Sequence, residues 1–92
     1  MENLGPADVA QAIRDTLEGR LTKPQLGKWA DRARLNELNG AIPYEWRYRV
    51  EINNAILTLM ALAEMVDVGV YFDLSDDDLR AMAGTLEQLA QQ

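Results

Sequence analysis

From Tyr44 to Val66 the chain follows one rule. Tyr44, Tyr48, Ile52, Ala55, Ile56, Leu59, Leu62, Ala63 and Val66 recur at intervals of three and four, the spacing that gathers side chains on one side of a helix turning 100° per residue. The stripe runs for about six turns and predicts a helix over 44–66. The first part of this segment also obeys a second rule. Pro43-Tyr-Glu-Trp-Arg-Tyr-Arg-Val-Glu-Ile52 alternates large apolar and charged residues, which is how a half-buried strand is written. A strand there needs a pairing partner, and the other candidate, Val68-Gly-Val-Tyr-Phe72, is short and contains glycine. The helix reading explains the whole segment, whereas the strand reading must change rule near Asn53-Asn54 without a clear turn. Trp46, Val50, Leu57 and Ala61 form a second, narrower apolar stripe nearly opposite the first. A helix apolar on two sides is either enclosed by its own bundle or lends one side to another molecule.

The remaining elements are set by punctuation. Pro6, Pro24 and Pro43 sit where helices begin and Gly19, Gly40 and Gly69 where they end. The first helix, about 6–18, carries Val9, Ile13 and Leu17 on one side. The second, about 23–38, opens at Thr22-Lys-Pro-Gln25, a capping-box spacing, and lines one side with Leu26, Trp29, Ala30 and Ala33. Gly27 inside it weakens the helix and is explained by close approach of a neighbour. The fourth, about 75–90, has Ser75 as its cap and Asp76, Asp77 and Asp78 in the first turn, where carboxylates face the positive end of the helix dipole. The expected fold is a single all-α domain over 1–92, a compact bundle of four helices with a short extended segment near 68–73. The alternative is α+β with strands near 44–52 and 68–73.

Composition removes most chemistry. There is no cysteine and no histidine, and Ser75 is the only serine. Thiolate nucleophiles, serine–histidine pairs and zinc–thiolate or imidazole sites are therefore excluded, and no cofactor or metal is expected. Asp76 to Asp78 do not make a calcium loop, because the alternating oxygen ligands, the glycine at position 6 and the glutamate at position 12 are missing. A non-enzymatic protein is expected. No secretory signal opens the chain, and the longest uncharged run, Ile52 to Ala63, is too short to cross a bilayer. A cytoplasmic location follows as the expectation.

The net charge of −6 is unevenly spread. Arg20 to Arg49 holds seven basic and three acidic residues, while Glu64 to Gln92 holds one basic and seven acidic. Acidity disfavours nucleic acid and favours a basic protein partner. Tyr71, Phe72, Asp73, Asp76, Asp77 and Asp78 are the candidate residues for such a partner. Trp46, Val50 and Leu57 are the candidates for self-association as a homodimer, an exposed tryptophan between arginines having hot-spot composition. A helix-turn-helix regulator is a further alternative, prompted by Lys28, Arg32 and Arg34, although little helix remains after Asp31 to serve as a recognition element.

Two segments, Leu17-Glu-Gly-Arg-Leu-Thr-Lys-Pro-Gln-Leu-Gly-Lys-Trp-Ala30 and Tyr71-Phe-Asp-Leu-Ser-Asp-Asp-Asp-Leu-Arg80, resemble small helical bacterial proteins, some of which are regarded as toxin-immunity proteins. Those proteins often carry a second tryptophan after the final Asp-Leu, where this chain has Met82. The resemblance implies an inhibitor of a basic toxin or enzyme and no catalytic residue.

Overall fold

The computed structural model describes residues 3–68 and 74–92, with the side chains of 64–68 left aside. Four α-helices are formed by the described residues: α1 Pro6–Leu17, α2 Lys23–Leu38, α3 Arg49–Val68 and α4 Asp76–Ala90. No strand occurs among the described residues, so the fold is the all-α bundle and the α+β alternative is set aside. No helix among the described residues is long and apolar enough to cross a membrane. The expected extended segment near 68–73 lies outside the described residues except for Val68, the last residue of α3.

The helix starts are built as their sequences dictate. The Thr22 hydroxyl accepts from the Gln25 amide at 3.2 Å while the Gln25 side chain accepts from the Thr22 amide at 2.9 Å. Ser75 and Asp78 make the same reciprocal pair at 3.1 and 3.2 Å. These bonds satisfy amides that no intrahelical carbonyl can reach. Gly19 and Gly40 end α1 and α2 with positive φ of 85° and 73°, the left-handed turn that glycine takes without strain.

The start of α3 differs from the expectation. The helix does not begin at Tyr44. Residue 44 is extended and bridges to Leu4, whose amide donates to the Pro43 carbonyl at 2.9 Å and whose carbonyl accepts from the Glu45 amide at 2.8 Å. The Tyr44 amide donates to the Glu37 carboxylate at 2.9 Å. The Pro43 carbonyl, the first acceptor of a helix starting at Tyr44, is thus taken by Leu4, and the bridge holds residue 44 extended. A single 3-10 turn, Trp46–Tyr48, then leads into α3.

The core lies between two helix pairs, α2 with α3 and α1 with α4. It contains Val9 and Ile13 of α1, Leu26 and Ala30 of α2, Ile52, Ile56, Leu59 and Leu62 of α3, and Leu79, Ala83 and Leu86 of α4, with Tyr44 and Tyr48 at one end. Contacts run in opposite order along α2 and α3, Gly27 against Ala63, Arg34 to Asn53 and Glu37 to Arg49, so the two helices are antiparallel. At Gly27 they nearly touch: an added Cβ would lie 2.9 Å from both the Ala63 Cα and the Leu62 carbonyl carbon, and closer still to the Ala63 nitrogen. Arg14 clamps α1 to α4 through two bonds to Glu87 of 2.7 and 3.2 Å.

Candidate interaction face

The second stripe of α3 is bare. Trp46 is 86% exposed, Val50 69% and Leu57 46%. They are joined by Leu38 at 67% and Leu35 at 56% from the C-terminal half of α2. Every exposed large hydrophobic residue among the described ones, Ile42 included, falls between positions 35 and 57. None comes from α1 or α4. Leu38, Trp46 and Val50 share one shallow depression of about 640 Å³ with Arg34, Arg47, Arg49 and Glu51. Leu57 stands seven residues beyond Val50 and Leu35 three before Leu38, so helical spacing carries the apolar strip along both helices.

Glu37 holds this face in shape. Its side chain is only 9% exposed and receives the Arg49 guanidinium at 2.5 Å and the Tyr44 amide. The Arg49 hydrogen bond, then the amide of Tyr44, hold its carboxyl below the usual carboxylate range. Arg34 donates to the neutral side chain of Asn53 at 2.5 Å. Arg47 lies over the Tyr48 ring at 5.2 Å and donates to the Gln92 carbonyl at 3.3 Å. The hydroxyls of Tyr44 and Tyr48 are buried without a hydrogen-bond partner among the described residues. Burial pushes the Tyr44 phenol up, and the neighbouring Arg34 charge works against that rise.

The acidic end is more committed than its composition suggests. Asp78 closes the cap with Ser75, Asp77 pairs with Arg80 at 2.7 Å, and Asp76 lies 4.0 Å from Lys23. Asp76 and Asp77 nonetheless stay exposed, at 64% and 92% of their side chains. Tyr71, Phe72 and Asp73 lie outside the described residues. The structure therefore brings Trp46, Val50 and Leu57 to one side and places Asp76, Asp77 and Asp78 together on another element. Among the described residues no three potential ligands gather as a metal site. A second cleft of about 410 Å³ between α3 and α4 is lined by Ala55, Thr58, Met82, Thr85 and Leu89, with Glu51 at its edge.

Leu35 and Leu38 belong to the face and were not singled out by the sequence reading. A signal existed: Leu26, Trp29, Ala30 and Ala33 define the buried side of α2, and a 100° turn per residue carries Leu35 and Leu38 well away from it. Arg34 turns toward Asn53, whereas Lys28 and Arg32 are exposed on the outer side of α2. The three basic residues thus do not form one patch. No match to this chain is found among protein families, curated proteins or solved structures.

Proposed function

We propose that this chain is a non-enzymatic protein-binding module whose binding face is the outer side of the α2–α3 pair, centred on Trp46. The carrying observation is that Trp46, 86% exposed, stands beside Val50 and Leu38 in one depression rimmed by arginines. Contiguous apolar surface of this kind marks interaction sites, and tryptophan and arginine dominate the binding energy of such sites. The core has no need of these residues, because α3 already fills it with Ile52, Ile56, Leu59 and Leu62.

Capture from extract of the native host by immobilised wild type and by Trp46→Ala tests the reading. A protein retained by the wild type and lost by the variant, whether another chain or the same one, supports it; equal retention by both sinks it. A second reading is favoured by the exposure of Asp76 and Asp77: the acidic end docks a basic protein, as an immunity-type inhibitor of a toxin would. Asp76→Asn with Asp77→Asn isolates that surface while leaving the Asp78 cap intact. A partner lost only in this double variant transfers the binding site to α4.

A further inference from the structure

The charges around the apolar strip say what covers it. Arg14, Arg20, Lys23, Arg49 and Arg80 each have a carboxylate within 4.0 Å. Among the described residues Lys28, Arg32, Arg34 and Arg47 have none that close: Arg34 meets a neutral amide, and Arg47 the Gln92 backbone oxygen and a ring. Both line the depression that holds Trp46. Glu51 lines it too, and Asp31 lies on the same side of α2, four residues before Leu35 and seven before Leu38. Among the described residues neither Asp31 nor Glu51 has an ion pair or side-chain hydrogen bond. Among the described residues the strip is thus bordered by charges of both signs that have no ion pair: Arg34 and Arg47, with Lys28 seven residues before Leu35, and Asp31 and Glu51.

We infer that the occupant of this face is a second copy of the same chain, in a two-fold symmetric dimer formed by the outer sides of α2 and α3. This rests on the protein-binding reading given above and names its partner. In a two-fold contact the same patch serves both subunits, so a patch bearing unmatched charge of both signs completes itself. A strongly acidic partner leaves Asp31 and Glu51 opposed by like charge, and a strongly basic one leaves Arg34 and Arg47 so. The whole chain carries −6, which repels a second copy at most orientations. Meeting through this face sets surfaces of mixed charge against each other and leaves Asp76 and Asp77 outside the contact.

Sedimentation equilibrium of the full chain tests this directly. The wild type is expected to pass from monomer to dimer with rising concentration. Trp46→Ala should weaken the dimer by about 30-fold or more, the factor corresponding to loss of a hot-spot side chain. Its far-UV circular dichroism should not change, because Trp46 lies outside the core. Arg47→Glu and Glu51→Arg should each weaken the dimer, and an equimolar mixture of the two should recover it as a heterodimer. A wild type that stays monomeric to millimolar concentration overturns the inference. So does a dimer unaffected by all three substitutions. A monomeric wild type that still captures another protein through Trp46 overturns the second copy alone and leaves the binding face standing.

Discussion

Two glycines inside helices make opposite predictions for the same substitution. Gly27 lies in α2 and Gly84 in α4, and an isolated helix prefers alanine at either position by about 1 kcal/mol. The surroundings then decide. At Gly84 an added Cβ meets nothing within 4 Å, so Gly84→Ala should stabilise by about 1 kcal/mol. At Gly27 the Cβ would stand 2.9 Å from the Ala63 Cα and the Leu62 carbonyl carbon. Those are backbone atoms and no rotamer can move them. The Ala63 nitrogen is closer still, so ordinary contact requires a shift of α3 of about an ångström, which forfeits roughly a quarter to a half of the dispersion energy of each contact that opens. Leu26, Ala30, Leu59 and Leu62 are the buried side chains nearest the breach. Overpacking of this kind costs about 1–3 kcal/mol, and against backbone the upper end applies. Less the helix gain, Gly27→Ala should destabilise by about 2 kcal/mol. Thermal unfolding followed by circular dichroism should show Gly84→Ala melting about 5 °C above the wild type and Gly27→Ala about 10 °C below it. If Gly27→Ala melts as high as Gly84→Ala, α2 and α3 do not approach as described and the antiparallel pair beneath the face is wrong.

Glu37 has a folded-state pKa held below its ordinary value of 4.5 by Arg49 and the Tyr44 amide, so its contribution is fully present above that pH and is lost as pH falls through the folded value. Urea titrations between pH 7 and pH 3 should show Glu37→Gln less stable at pH 7, by about 1–3 kcal/mol for two charge-assisted bonds, and less sensitive to acid than the wild type. An unchanged acid limb in the variant refutes the assignment. Glu87, lowered chiefly by the Arg14 bond, adds to the acid loss with the same sign. Ser75→Ala removes the acceptor for the Asp78 amide and should cost about 1 kcal/mol, read as a fall in melting temperature of about 4–8 °C. No fall there means that α4 is held by its packing on α1 and not by its cap.

Much of this architecture is legible in the sequence because it rests on local rules. Thr22 with Gln25 and Ser75 with Asp78 close over three residues, and the stripe from Ile52 to Leu62 needs only the helical repeat to be recognised. Gly27 announces a close neighbour by its cost to the helix. What escaped the sequence depends on distant partners. Leu4 bridges the chain at Tyr44, takes the Pro43 carbonyl and holds the segment extended, while Glu37 takes the Tyr44 amide, and neither partner can be deduced from the segment they act on. Lys23 lies against Asp76 across more than half the chain, which makes part of an acidic cluster structural. The exposed apolar face was half visible. Trp46, Val50 and Leu57 stood out because their helix is apolar on two sides, while Leu35 and Leu38 hid among ordinary helix formers.

The alternation in Tyr44, Trp46, Tyr48, Val50 and Ile52 carries the strongest link between fold and function. A strand would turn all five to the same side. The structure divides them: Tyr44, Tyr48 and Ile52 are buried, and Trp46 and Val50 are the most exposed large hydrophobic residues described. The period of four wins because the helix that follows has no other way to bury Ile56 and Leu59 in the same stripe. From Tyr48 on, a residue two places from a buried one is carried about 200° around the axis, to the outside, while Trp46 is turned out by the 3-10 turn that precedes α3. Polar side chains at 46 and 50 would leave the core contacts intact, since surface substitutions away from special features change stability by no more than about 0.5 kcal/mol. Tryptophan and valine there contribute little to folding. Their contribution is to the surface, where Leu38, Arg47 and Glu51 already surround them.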